Sequence, residues 1–71
     1  MTLLTTFAEL GLSPTLSVMK SGVCLALGTE VFNGMTIEAV LLEAAYHVLG
    51  TPIAEDAQAK VKAWIQQHEV K

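Results

Sequence analysis

Between Ile37 and Leu49 only Glu38, Glu43 and His47 are polar. A helix of that composition is apolar almost all the way round and needs cover on more than one side. The rest of the chain makes that cover hard to supply. The protein has 71 residues, and 52% of them are hydrophobic. A single domain of this length buries only about 60% of the surface its unfolded chain exposes. Its core yields about 3–5 kcal/mol of net stability. The surplus apolar surface therefore implies a companion surface, most simply a second copy of the chain.

Other staples are not offered. Cys24 is the single cysteine, so no intrachain disulfide can form. A structural zinc site needs about four ligands, and Cys24, His47 and His68 lack the paired spacing. No metal or other cofactor is expected. Charge is sparse: four Lys, no Arg and seven Asp or Glu, for a net charge of −3 at pH 7. Affinity for nucleic acid comes largely from neutralised phosphates, and base reading leans on Arg, so nucleic acid is not an expected partner. A membrane is not expected either. The greasiest windows are broken by Lys20 and Glu30, or by Glu38 and Glu43, and none makes an uncharged span of 18 residues. No basic region precedes an apolar stretch at the N-terminus, and a lone thiol suits a reducing compartment. These features lead us to expect a cytoplasmic protein.

Turn residues punctuate the chain near Gly11 to Pro14, Gly28-Thr29, Asn33 to Thr36 and Gly50 to Pro52. The first segment fits a short helix starting at Thr2, or at Thr6 through the capping-box spacing of Thr6 and Glu9. The second opens with Ser13-Pro14, a hydroxyl cap followed by a proline at the first helical position. It predicts a helix through Leu16, Met19, Val23 and Leu27. A rival reading makes residues 23–27, the pair Gly28-Thr29 and residues 30–32 a β-hairpin, because Val and Phe favour strands. The third segment predicts a helix over Ile37–Leu49, with Thr36 as N-cap, Gly50 at its C-terminal end and Glu38 in the first turn. The fourth opens with Thr51-Pro52 and carries a stripe of Ala54, Ala57, Val61, Trp64, Ile65 and His68. Asp56 and Lys60 would pair on its outer side.

Chemistry-bearing residues are weighed against plainer roles. Glu43 and His47 share a helix face four residues apart, yet two ligands do not make a site; a solvated polar strip is the better account. Cys24 among apolar neighbours reads as a small hydrophobe, not a nucleophile. Trp64 and Tyr46 read as core and core edge. Gly22 and Ala26 would let two helices approach closely. A short helix, a turn at Gly11 and a helix from Pro14 could also pass for a helix-turn-helix, offering Thr15, Ser17, Lys20 and Ser21 to a groove. No acid, base and nucleophile can be assembled into a constellation, so an enzyme is not expected.

The expectation is one all-α domain over residues 1–71: a small bundle of three long helices plus a short N-terminal helix, forming a symmetric dimer. Its core would hold Phe7, Leu10, Leu16, Met19, Val23, Leu27, Val40, Leu41, Ala44, Val48, Val61, Trp64 and Ile65. The expected function is a non-catalytic protein–protein interaction module. It would self-associate through the second and third segments, at Val18, Gly22, Leu25, Ala26, Ile37, Leu41, Leu42, Ala45, Tyr46 and Leu49. A small adaptor or inhibitor subunit for a different protein is the alternative, and a DNA-binding regulator a further one.

Overall fold

The computed structural model describes residues 3–69. It corrects the all-α expectation: residues between the first helix and Thr36 build a three-stranded antiparallel sheet, and the chain is an α+β domain, not a helical bundle. The elements run α1 (Leu3–Glu9), β1 (Pro14–Met19), β2 (Gly22–Leu27), β3 (Glu30–Gly34), α2 (Ile37–Leu49) and α3 (Glu55–Glu69). The strands lie in the order β1-β2-β3. Thr2, the alternative start of the first helix, lies outside the described residues.

The period of the apolar residues explains the correction. Leu16, Met19, Val23 and Leu27 are compatible with one helix face. Val23, Leu25 and Leu27 are also an every-second-residue set, and those are the buried residues of β2. Turn chemistry decides between the two periods. Gly28 adopts φ +62 and precedes Thr29, the φ signature of a two-residue type II′ hairpin turn between Leu27 and Glu30. Gly22 adopts φ +150 at the start of β2, where a Cβ would sit 2.6 Å from the Gly34 carbonyl oxygen. A helix carrying both glycines would lose about 1 kcal/mol at each. The sheet needs them. The rival hairpin is thus what forms, extended by β1 on its far side.

Ser13-Pro14 is not a helix start. Ser13 is in the left-handed region, with φ +51, and Pro14 opens β1. Thr51-Pro52 likewise precedes α3 by several residues. The Thr51 hydroxyl donates to the Val48 carbonyl, 2.6 Å away, and so finishes α2 instead of capping the next helix. Thr36 does cap α2, accepting from the Ala39 amide at 3.1 Å, and the helix keeps the expected bounds. Gly50 ends it with φ −77, not in the left-handed form.

All three helices lie on one face of the sheet. α2 packs over β2 and β3, α1 lies beside β1, and α3 closes over α1 and α2. The core gathers Leu3, Phe7, Val23, Leu25, Leu27, Phe32, Val40, Ala44, Ala45, Val48, Val61 and Ile65. Leu10, Leu16, Leu41 and Trp64, expected inside, pack against its edge, and Met19 stands 52% exposed. The sheet also changes the problem posed by α2. It offers a broad floor that four short helices could not, and α3 covers a second side. Val40, Ala44, Ala45 and Val48 are buried within the subunit. No described helix is long and apolar enough to cross a membrane.

Candidate association surface

In an antiparallel pair, opposed residues point to the same face. The register sets Leu16 opposite Leu25 and Val18 opposite Val23, so Leu16 and Val18 belong to the helix-bearing face. Thr15, Ser17 and Met19 belong to the other face, with Cys24, Ala26, Val31 and Asn33. That second face carries no helix and no charged residue. On the helix side the cover is uneven. Leu16 is half-buried, while Val18 is 69% exposed although it points the same way. The helical layer therefore stops short of the far end of β1.

The backbone of β1 is open along its outer edge. β1 pairs with β2 alone, and among the described residues no backbone hydrogen bond outside the sheet reaches it. Met19 and Gly22 close the first hairpin around Lys20-Ser21. A closing pair exchanges both its N–H and C=O groups, and hydrogen-bonded and non-hydrogen-bonded pairs alternate from there. The inward groups thus belong to Thr15, Ser17 and Met19, and the outward N–H groups to Leu16 and Val18. Pro14 falls on the outward set, where its missing N–H leaves nothing in the ladder unpaired. No residue from Pro14 to Met19 carries a charge to discourage edge pairing.

The residues expected at the interface divide sharply. Leu25 and Ala45 are fully enclosed by their own chain and have no surface to offer. Gly22 and Ala26 lie on β2, not on a helix, so no close helix crossing forms there. Leu41, Leu42 and Leu49 are half-buried around the core. Val18, Ile37 and Tyr46 remain substantially exposed, together with Met19, Val31 and Met35. In the sequence the open edge of β1 is concealed by the helical period of Leu16, Met19, Val23 and Leu27. The signal was present in Pro14 followed by uncharged, partly β-branched residues up to a short polar turn.

A shallow groove of about 450 Å³ lies at the other end of the helical layer, between Leu3, Leu4, Ile37, Glu38, Leu41, Trp64, Gln67 and His68. Trp64 and His68 stack there, with ring centroids 4.0 Å apart. His68 Nδ1 donates to the Trp64 carbonyl at 2.8 Å, which fixes the stack to its own helix. His47 instead meets Phe32 in an edge-to-face arrangement, with ring centroids 5.4 Å apart. Cys24 lies on the helix-free side of the sheet. The three residues weighed as ligands or catalysts are thus dispersed over three environments. Among the described residues, no group of three or more His, Cys, Asp or Glu is placed to hold a metal. The helix that would have entered a DNA groove is strand β1. Lys60 ties to Glu9 of α1 at 3.3 Å instead of forming the expected pair with Asp56 along its own helix.

No family model, curated protein or solved structure matches this chain. What defines it is its architecture, a three-stranded meander with three helices on one face.

Proposed function

We propose that the protein is a non-catalytic protein–protein interaction module that works as a homodimer. The observation that carries this reading is the bare end of the sheet, where an uncharged edge strand meets exposed Val18 and Met19. Val31, Met35, Ile37 and Tyr46 add to the apolar surface the chain leaves uncovered. Small proteins tolerate scattered exposed apolar residues. An open backbone edge beside them is a different matter, because it also offers directed hydrogen bonds. The dispersal of Cys24, His47 and His68 favours binding over catalysis.

Sedimentation equilibrium at micromolar concentration tests the proposal. The expected result is a mass of two chains that dissociates on dilution. A well-folded chain that stays monomeric through that range overturns it. A monomer that instead forms a defined complex with another protein from its host would support an adaptor.

A further inference from the structure

We infer that two copies join through antiparallel pairing of β1 with β1, about a two-fold axis that passes midway between the two Ser17 residues, perpendicular to the sheet. This rests on the homodimer reading above and specifies its interface.

Such an axis keeps the helices of both copies on the same side of a continuous six-stranded sheet. Opposed residues must then come from the same face, so only every second register is allowed. Centring the pairing on Ser17 sets Leu16 opposite Val18 of the second copy, Val18 opposite Leu16, and Thr15 opposite Met19. Leu16 and Val18 own the outward N–H groups, and in this register the N–H and C=O groups of both find partners. Centring it on Leu16 would set Val18 opposite Pro14 of the second copy. Proline has no N–H to donate, and the Val18 carbonyl would go unpaired. The Pro14 carbonyl, which has no strand partner in the Ser17 register, is paired there, so both registers form four ladder bonds and the backbone alone does not choose between them.

Side chains select the Ser17 register. Val18 points to the helix-bearing side yet is 69% exposed, so the space above it is open. The Ser17 register fills that space with Leu16 of the second copy and extends the apolar core across the two-fold. An apolar cross-strand pair of this kind is among those that stabilise a sheet. On the outer face it pairs Ser17 with Ser17 and Thr15 with Met19, and no like charges oppose one another. A second copy suits this edge for a further reason. The strand supplies both halves of its own complement, the half-covered Leu16 and the uncovered Val18.

Cross-linking reads the register. Ser17 would form a non-hydrogen-bonded pair with its own copy, with Cα atoms about 4.5 Å apart, within disulfide range. Cys24 lies opposite Ser17 inside the chain, so it is first replaced by Ser. With oxidised glutathione as the oxidant, Ser17→Cys in the Cys24→Ser background is expected to give a covalent dimer, and Leu16→Cys is not. Val18→Pro removes an N–H that faces away from β2, so it spares the intrachain ladder. It is expected to weaken dimerisation by about tenfold or more while circular dichroism is unchanged. Val18→Lys, which leaves the backbone intact, is the second variant and is expected to act in the same direction.

A wild-type dimer whose Ser17→Cys variant does not cross-link, and whose Val18 variants still dimerise normally, overturns this interface but leaves the homodimer standing. Cross-linking at Leu16→Cys in place of Ser17→Cys overturns the register. A wild-type monomer overturns both.

Discussion

β1 and β3 are the two outer strands of one small sheet, and neither has a strand neighbour on its outer side, but they are built for different work. β3 lies beneath α2. Phe32 is 7% exposed and meets His47 edge-to-face, and at Gly34 a Cβ would sit 2.8 Å from Val40 Cγ2. The Val40 side chain therefore packs directly on the strand backbone. β1 lies beside α1, and its helix-side residues go from half-buried at Leu16 to open at Val18. An outer strand can thus serve as a packed floor or as an exposed edge. What separates the two roles is the side-chain layer above the strand, not the ladder within it.

The largest expected effect sets Phe32 against Leu16, which are paired with the same residue, Leu25, from opposite sides. Phe32→Ala should cost about 3–5 kcal/mol, comparable to the whole stability of a domain this size, and leave much of the chain unfolded. Leu16→Ala, at a half-covered site, should cost about 1 kcal/mol. Urea titration checks both, carried out in the Val18→Lys background so that association does not add to stability. Equal losses would erase the distinction between floor and edge.

Gly22 sharpens the comparison from the middle strand. Its φ of +150 disfavours any side chain, and a Cβ would press on the backbone oxygen of Gly34, which cannot swing aside. Gly28 also has positive φ, at +62, but a Cβ there meets nothing within 4 Å. Gly28→Ala should therefore cost about 1–2 kcal/mol from conformation alone. Gly22→Ala should exceed it by about 1 kcal/mol or more, because β3 must also shift. Thermal unfolding of the two variants measures the difference. A larger loss at Gly28 would mean that the approach of β3 is not what requires the glycine.

The helical part was legible in the sequence because several signals agreed there. For α2, the Thr36 cap, Glu38 in the first turn and an apolar run of helical length all pointed the same way. For α3, Val61, Trp64 and Ile65 lie along one stripe. The sheet was hidden by agreement of another kind. Leu16, Met19, Val23 and Leu27 suit a helical period, and Leu and Ala are good helix formers, so propensity favoured the wrong element. What overrode it was tertiary: Leu25 and Phe32 gain burial only if β2 and β3 pair beneath α2. The candidate surface followed the same division. Val18 and Ile37 were singled out and are exposed. Leu25 and Ala45 are enclosed between the sheet and the helices instead of standing at an interface, and the helical period shared by β1 and β2 conceals the open edge.

The smallest expected effect distinguishes two hydroxyl residues that look alike in sequence, one before β1 and one before the helix that covers β3. Thr36 lies two residues beyond β3 and caps α2. Ser13 precedes β1, and with Pro14 it carries a cap signal of the same kind. Thr36→Ala removes the acceptor for the Ala39 amide and should cost about 1 kcal/mol, loosening the first turn of the helix that covers β3. Ser13 caps nothing, and its φ of +51 is a conformation that glycine adopts without penalty. Ser13→Gly should therefore leave stability unchanged or raise it slightly, since relief of the left-handed backbone is offset by the greater freedom of the unfolded chain. Chemical denaturation of the pair decides the matter. A loss at Ser13→Gly matching that at Thr36→Ala would show that the serine hydroxyl organises the entry to β1, and that this edge is held more firmly than its open backbone suggests.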